Sequence, residues 1–404
     1  MTDTSVLVIS QVFPPEPLGG AHRWEKLAKN LPDEYECRVL APPPSYPAGE
    51  FEKTYRPLSR EVQNGVPVTR LYTYQPGSDP STLERMLYYG IFALLCTIYV
   101  LANFWRYRIV VTVSAPHTTF LTGIVAKLLG RTWIVDIYDL WIDNAAQIEG
   151  INTDSIPYQA VAALESVAIR RSDHVIVLTP TMGEFYQEKY GISEARLTDV
   201  PFGVDTDLFT QKVDGENKSN TLIYTGNFGK AHAFVPFFKA LEKVEHDVRL
   251  KMVGSGRRNT ELQNLSQDLD LEDRIEFVGT VSRSTIPELL GETTVSLVPL
   301  QTEYDLDYAR PNKLLETMAV GTPFVASSVG EIQYVTNASN AGIAVANDPK
   351  EIAEAIDALL RKPQRRKQMG ENGIEFIETH HSWPQLGERV ARIFDETTGT
   401  GAPD

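Results

Sequence analysis

The chain alternates short, mostly apolar runs with longer segments that are apolar on one side only. The runs lie at residues 6–10, 68–72, 109–113, 133–137, 175–178, 222–224, 249–253, 275–277, 295–298, 324–326 and 343–345. Such a run is typical of a strand buried on both faces of a parallel sheet. Between the runs, residues 234–241 and 352–360 carry apolar side chains at helical spacing. The alternation predicts an α/β fold with doubly wound, Rossmann-like sheets.

The length of the chain predicts two domains. At 404 residues it is too long for one typical domain and suits two of about 200 each. We place the first domain at residues 1–200, the second at 201–380 and a final helix, near 385–396, in 381–404. The Pro-rich segment 42–55 is expected to be a surface loop.

Charge and cysteine content exclude some classes of protein. The net charge of −15 argues against a nucleic-acid binder, because contacts to phosphate need a basic surface. Cys37 and Cys96 lie in apolar runs without metal-ligand spacing, which predicts buried, reduced thiols in a cytosolic protein. No secretory signal is recognised, since the apolar run 6–9 is too short and has no basic residue before it. We expect no metal, because no His/Cys cluster is present.

One segment, residues 86–105, is apolar enough to require a membrane argument. It is uncharged, lies between Arg85 and Arg106, and has Tyr and Trp near its ends. About 20 residues at 1.5 Å each would span a hydrocarbon core. A helix is nevertheless needed here to connect the strands at 68–72 and 109–113. The alternatives are a transmembrane span, a wholly buried helix and, as the favoured interpretation, a helix docked on the sheet with its outer face at a membrane.

Residues 310–323 connect two apolar runs and predict a ligand site. Pro311 suits the first turn of a helix and Gly321 its carboxyl end. A helix that begins at the carboxyl end of a parallel strand directs free N–H groups at the ligand crevice, which suits phosphate. Lys313 adds a cation there, and Glu316, one turn later, could accept hydrogen bonds from sugar hydroxyls. The alternative is an ordinary capped helix with a surface Lys and Glu.

Glycine-rich turns follow several predicted strands and would let a ligand approach the backbone. Gly19 and Gly20 follow the first strand, without a Gly-x-Gly-x-x-Gly or a Gly-Lys-Ser/Thr motif. In the second half, two such turns contain Gly226, Asn227 and Lys230, and Gly254, Arg257 and Arg258.

The segment PNKLLETMAVGTP at 311–323 resembles the nucleotide-sugar signature of the retaining glycosyltransferases of family 4, the group 1 glycosyltransferases. It is most similar to a branch with the pattern Pro-Ser-Lys-Leu-x-Glu-Tyr-Met-Ala-x-Gly-x-Pro. The turns at 13–20, 224–230 and 253–256 and the segment 201–205 also resemble the family. The resemblance implies the GT-B fold, in which two Rossmann-like domains face each other across a cleft and the final helix crosses back onto the first domain.

The resemblance also implies donor-binding residues. Glu316 matches the second Glu of the family's Glu-x7-Glu motif, which holds the ribose, whereas Tyr308 replaces the first Glu. Asn227 stands where many members carry an Arg that grips the diphosphate, so this function would pass to Lys313, Lys230, or Arg257 and Arg258. The remaining donor-binding positions are expected to be Gly19, Gly20, Gly226, Gly254, Val281 near the nucleobase, Asn312 and Leu314.

Two residues of the first half are candidates for catalysis. His117 follows the strand 109–113, near where the family has a polar residue or His that contacts the transferred sugar. A helix cap is the alternative for a lone His at a turn. Asp139 belongs to DIYDLWID at 136–143, which resembles a family motif, and we expect it to orient the acceptor hydroxyl or to accept its proton. Asp143 is expected to cap the next helix, and three carboxylates after a strand are not expected to be core residues.

The sequence thus predicts a glycosyltransferase that moves a sugar, with retention, from a UDP- or GDP-sugar to a lipid-linked glycan acceptor. We expect it at the cytoplasmic face of the cell membrane, with the nucleotide sugar as co-substrate and no metal cofactor. The alternatives are a nucleotide-sugar epimerase and a catalytically inactive subunit that docks on a membrane partner. A hydrolase with paired carboxylates would compete for the same acids, but its geometry cannot be read from sequence.

Overall fold

A computed structural model describes residues 4–17, 19–47, 50–77, 80–148, 150–210 and 220–399. The chain divides into two compact units. The first comprises Met1–Phe202 and Trp383–Asp404, and the second comprises Gly203–Ser382. The chain therefore leaves the first unit once and returns to it for its last helix.

The first unit contains an eight-stranded sheet. Its strands are β1 (Thr4–Ile9), β2 (Tyr35–Ala41), β3 (Leu58–Gln63), β4 (Val66–Leu71), β5 (Ile109–Val113), β6 (Thr132–Ile137), β7 (His174–Val177) and β8 (Leu197–Asp199). The order is β3-β4-β2-β1-β5-β6-β7-β8, and every pair is parallel except β3 with β4. The direction of winding reverses between β1 and β5, where doubly wound proteins bind ligands.

Helices cover both faces of this sheet. They are α1 (Ala21–Lys29), α2 (Thr82–Asn103), α3 (Phe120–Leu128), α4 (Trp141–Gln147), α5 (Ile156–Arg171) and α6 (Pro180–Tyr190). One core lies around Trp24, Val39 and Val111, and the other lies beneath α2, around Leu7, Phe92 and Cys96. Both faces of the central strands β1, β5 and β7 are therefore buried, which explains why they read as apolar runs.

The second unit contains six parallel strands. They are β9 (Thr221–Thr225), β10 (Arg249–Val253), β11 (Ile275–Gly279), β12 (Val295–Val298), β13 (Phe324–Ser327) and β14 (Gly342–Val345). The order β11-β10-β9-β12-β13-β14 is the Rossmann order 3-2-1-4-5-6, which reverses between β9 and β12. The helices are α7 (Phe234–Leu241), α8 (Asn259–Asp268), α9 (Ile286–Glu292), α10 (Asn312–Val320), α11 (Gly330–Ser339), α12 (Pro349–Leu360) and α13 (Pro363–His380).

The last helix, α14 (Trp383–Thr398), packs on α1 of the first unit. Its residues Leu386, Val390 and Phe394 belong to the core that contains Trp24. Gly387 is required at the crossing, because a Cβ there would lie 2.0 Å from the carbonyl oxygen of Asn30.

Helix α2 is the long apolar helix expected from the sequence. It begins with a capping box between Ser81 and Glu84 and buries Phe92, Cys96 and Val100 against the sheet. Its other side exposes Leu83, Met86, Leu87, Leu94, Ile98 and Leu101, and Trp105 follows it. Among the described residues, only the helical stretch Thr82–Arg106 is long and apolar enough to cross a membrane. The helix is neither wholly buried nor detached from the sheet.

The α/β fold class and eleven of the strands were predicted correctly to within a few residues. Strands β2, β3 and β8 were missed, since exposed polar side chains interrupt the first two and β8 is three residues long. Pro311 is the N-cap of α10 rather than part of its first turn, whereas Gly321 ends the helix with a φ of 78° as expected.

Candidate functional site

In the second unit, the site predicted from the sequence lies at the reversal of strand order. The loops after β9 and β12 lead to this point, and α10 begins there. At the start of α10, the N–H groups of Asn312 and Lys313 have no carbonyl partner earlier in the helix, whereas that of Leu314 donates to the carbonyl of Pro311 at 3.0 Å. Together with the helix dipole, they form a position that favours a negatively charged group.

Lys313 points back to the end of β9. Its Nζ donates a hydrogen bond to the hydroxyl of Tyr224 at 2.5 Å and lies 4.0 Å from the centre of the same ring. Burial lowers the pKa of Lys313 to about 7, and the negative charge of Glu316 opposes this only in part. The ammonium group therefore loses much of its hydration, which a bound anion would compensate.

His232 is the second contact of Lys313, with Nε2 3.5 Å from Nζ. Its Nδ1 lies 3.2 Å from the carbonyl oxygen of Pro299 and therefore donates to it. Burial and the neighbouring Lys313 lower the pKa of His232 to about 3, so that its ring is neutral. The lone pair of Nε2 is thus directed at the ammonium group.

Glu316 lies one turn after Lys313 and is paired with Arg283. Nη2 of Arg283 is 2.8 Å from Oε1 of Glu316, and the arginine side chain is 60% exposed while that of Glu316 is 13% exposed. Burial raises the pKa of Glu316, and the charge of Arg283 offsets part of this effect. Arg283 was missed from the sequence because it lies 33 positions before Glu316, in a segment without a motif. The Cζ atom of its guanidinium also lies 5.3 Å from the centre of the Phe209 ring.

The glycine turns after β9, β10 and β11 interlock through their backbones. The N–H of Gly226 donates to Val253, that of Phe228 to Ser255 and that of Gly254 to Gly279. Gly254 has a φ of 131°, and a Cβ on it would lie 2.0 Å from the oxygen of Gly226. These glycines are therefore required by the packing of the turns. Gly226 also faces Lys313, since a Cβ on it would lie 3.0 Å from Nζ.

The other donor-binding candidates of the second unit surround these turns. Asn227, Lys230 and Arg257 are exposed, and Val281 is half-buried just after β11. Arg258 is engaged already, since Nε and Nη2 donate to Glu261 at 2.9 and 2.7 Å and Nη1 donates to the carbonyl of His232. Leu314 is fully buried beneath α10. Tyr308, at the position of the missing first Glu, is also buried.

In the first unit, Gly20 is the N-cap of α1 and Gly19, beside it, is exposed. A Cβ on Gly20 would lie 2.7 Å from the ring of Tyr138, so this glycine lets the loop after β6 approach α1. The three carboxylates of residues 136–143 have different surroundings, since Asp136 ends β6, Asp139 follows it and Asp143 lies in α4. Asp136 is a core residue, contrary to expectation: it is fully buried and accepts hydrogen bonds from Arg23 at 2.8 and 2.9 Å.

Asp139 and Asp143 are less enclosed. Asp139 is half-buried after β6 and accepts a hydrogen bond from Asn144 at 2.6 Å. Asp143 does not cap α4, because it lies inside the first turn, where its carboxylate is 2.7 Å from Nζ of Lys189. Asp139 thus remains the carboxylate best placed at the end of the strand.

His117 is fully buried, not a surface helix cap. Its ring packs edge-on against Phe120, with centroids 4.9 Å apart, and lies 5.4 Å from Trp141. Nε2 lies 3.0 Å from Oε2 of Glu165, in contact but outside hydrogen-bond geometry. Burial acts to raise the pKa of Glu165, but His117 and Lys189 outweigh this and lower it. Glu165 is the second residue that sequence reasoning missed, since 48 positions separate it from His117.

The structure therefore brings Gly226, Lys313 and Glu316 together in the second unit. Within the described residues, no group of three His, Cys, Asp or Glu side chains could hold a metal ion.

Two Rossmann-like units, each with a mostly parallel, doubly wound sheet, are the architecture of the GT-B fold class. Residues 19–203 match the glycosyl transferase 4-like domain, and residues 205–376 match the glycosyl transferases group 1 model. The chain is thus a glycosyltransferase and belongs to the group 1 glycosyltransferases.

Similar proteins agree with this assignment. A protein of Escherichia coli K12 named for colanic acid biosynthesis, the glycosyl transferase WcaI, is 25% identical over 88% of this chain and 91% of its own. The sucrose-phosphate synthase of Thermosynechococcus elongatus has a similar fold, with a TM-score of 0.74, 18% identity and coverage of 98% of this chain and 100% of its own. HepE of Anabaena, solved in complex with UDP, has a TM-score of 0.72 and 15% identity over 97% of this chain and 100% of its own.

Proposed function

We propose that this glycosyltransferase takes its sugar from a UDP- or GDP-sugar bound at the amino end of α10. The observation that carries the proposal is the arrangement of α10: free N–H groups at its start, the ammonium group of Lys313 beside them and the carboxylate of Glu316 one turn later. The first two suit a diphosphate and the third suits ribose hydroxyls. That HepE binds UDP supports the same class of ligand.

In the proposed reaction, the bond between C1 of the donor sugar and the diphosphate oxygen breaks, and the acceptor oxygen bonds to C1. The acceptor proton leaves with the diphosphate. Positive charge at Lys313 and the helix dipole stabilise the negative charge that develops on the leaving group. Retention of configuration is proposed from the likeness to the group 1 family. Asp139 is proposed to orient the acceptor hydroxyl, and the nucleotide sugar is proposed to act without a metal.

We further propose that the acceptor is lipid-linked and that the protein lies peripherally on the cytoplasmic face of the membrane. The support is α2, whose outer side exposes Leu94, Ile98 and Leu101 by half or more. At its carboxyl end, Arg38, Arg60 and Arg106 line one cavity of about 230 Å³. Apolar side chains next to cations suit the interface of an anionic bilayer.

Titration of UDP and of GDP into the wild-type protein and into the Glu316→Gln variant tests the donor assignment. We expect wild-type protein to bind one of the two nucleotides and the variant to bind it about tenfold more weakly, a loss of about 1.4 kcal/mol. The 2′,3′-dideoxy form of that nucleotide should bind the variant and the wild type equally, because it lacks the hydroxyls that Glu316 would hold. Glu288→Gln, a change at an exposed carboxylate on α9, is the matched control.

Calorimetry measures these affinities directly. If neither nucleotide binds the wild type, or if Glu316→Gln weakens both forms of the nucleotide equally, the donor assignment is wrong. Incubation of the UDP- or GDP-sugar without acceptor separates transfer from epimerisation, since an epimerase would convert the sugar while it remains attached to the nucleotide.

A further inference from the structure

The first unit contains a cavity of about 540 Å³ that the donor site does not use. It lies at the reversal of strand order, since the loops after β1 and β5 line it together with the start of α2 and of α4. This is the position at which open parallel sheets bind ligands. Its volume is sufficient for a sugar-sized group.

Two buried polar side chains of the loop after β1 line the cavity. Gln11 and Glu16 are each 1% exposed. Within the described part of the chain, Oε2 of Glu16 has no hydrogen-bond partner, and the amide of Gln11 makes no well-aligned hydrogen bond although it lies beside the hydroxyl of Tyr88. The other oxygen of Glu16 accepts from the backbone N–H groups of Ser45 and Tyr46 at 2.7 and 3.0 Å, which fixes the carboxyl group in place.

Unsatisfied atoms of this kind point to a ligand. A buried polar atom without a partner is destabilising. Such atoms at one cavity therefore favour a ligand that supplies donors and acceptors. Hydroxyl groups do both, since each donates once and accepts twice. The aromatic side chains of Tyr88, Tyr89 and Trp141 complete the wall with the flat, partly apolar surface that a sugar ring needs.

The mouth of the cavity has a different chemistry. Arg85 lines it and is exposed, and no carboxylate of the described residues forms an ion pair with it. Its guanidinium matches a phosphate group in shape and charge. The exposed apolar side of α2 includes the next residues, Met86 and Leu87. The cavity, the guanidinium of Arg85 and the exposed apolar residues of α2 are therefore neighbours at the start of this helix.

We propose that this cavity binds the acceptor of the reaction, a sugar joined through phosphate to a hydrocarbon chain. Gln11 and Glu16 hold the sugar hydroxyls, Arg85 holds the phosphate, and the chain lies along the exposed side of α2. This inference rests on the proposed transfer to a lipid-linked acceptor, and it adds the residues that select the acceptor.

The test is equilibrium binding of hexyl glucosyl phosphate and hexyl phosphate, without nucleotide, to the full chain. We expect wild-type protein to bind hexyl glucosyl phosphate saturably and more tightly than hexyl phosphate. Gln11→Leu should weaken the binding of hexyl glucosyl phosphate by about tenfold and leave the binding of hexyl phosphate unchanged, whereas Arg85→Met should weaken the binding of both. Arg171→Met, an exposed arginine on α5, is the matched control.

Glu16→Gln provides a second variant that keeps the shape of the side chain, in case Gln11→Leu does not fold. This variant should also weaken the binding of hexyl glucosyl phosphate and leave that of hexyl phosphate unchanged. The proposal is overturned if hexyl glucosyl phosphate does not bind, or if it binds both loop variants as it binds the wild type. UDP or GDP titrated into the same preparations reports on the donor site separately, so that normal nucleotide binding with no effect at the cavity rejects this inference alone.

Discussion

The ammonium group of Lys313 contacts neutral groups: the ring and hydroxyl of Tyr224 and the lone pair of His232. These contacts orient the side chain but compensate only part of its lost hydration, and the pKa falls to about 7. A diphosphate would supply the missing negative charge and would raise the pKa again. Binding and protonation of Lys313 are therefore linked.

This linkage predicts that nucleotide affinity depends on pH. Between pH 7 and 9, free Lys313 is increasingly neutral while the bound form keeps its proton, so binding takes up a proton. The affinity for the bound nucleotide should fall by up to about tenfold per pH unit. In Lys313→Met the affinity should be low and nearly constant over the same range. Calorimetric titrations at each pH measure the affinity, and titrations in buffers of different ionisation enthalpy count the protons taken up. A wild-type affinity independent of pH would contradict the low pKa of Lys313.

At the scale of elements, the sequence predicted what local pattern determines. The strands at 222–224 and 324–326 are contiguous apolar runs, and α10 carries its own end signal in Gly321. Two contacts that change the pKa of a carboxyl group connect distant positions in the sequence: Arg283 with Glu316 and His117 with Glu165. No local pattern indicates such a pair, because the fold creates the contact. Asp136 was misjudged for the same reason, since its partner Arg23 lies on another element.

Helix α2 carries a prediction about membrane binding. Its exposed leucine and isoleucine side chains should insert into the bilayer interface, with Arg38, Arg60 and Arg106 near anionic headgroups. Leu94→Ser with Ile98→Ser should therefore abolish sedimentation with vesicles rich in anionic lipid, while thermal stability remains close to wild type. Leu58→Ser with Val62→Ser, at exposed positions on β3, should leave vesicle binding unchanged. Equal sedimentation of both double variants would exclude α2 as the contact.

At the scale of the whole molecule, the first unit is built from two separate parts of the chain. Phe394 of α14 is fully buried and stacks edge-on against Tyr35, with ring centroids 5.3 Å apart. The core of the first unit is therefore incomplete without residues that follow the second unit in sequence. The second unit has its own core around Phe234, Phe237 and Ile356.

Phe394→Ala should consequently destabilise one unit and not the other. We expect a loss of about 3–5 kcal/mol for truncating a buried aromatic side chain. Hydrogen exchange should accelerate in β1, β2 and α1 and stay unchanged in β9 to β14. Glu388→Ala, at an exposed position on the same helix, serves as control and should change neither. Faster exchange throughout both sheets would mean that the units do not unfold independently.

The two chain ends of the second unit lie side by side. Val204 and Ser382 form a parallel β-bridge, and the N–H of Val204 donates to the carbonyl of His381 at 2.9 Å. The segment between them is thus a cassette with adjacent splice points, one at each end. If the second unit binds the donor and the first the acceptor, as proposed, exchanging this cassette between related enzymes would produce chimeras with the nucleotide preference of one parent and the acceptor preference of the other.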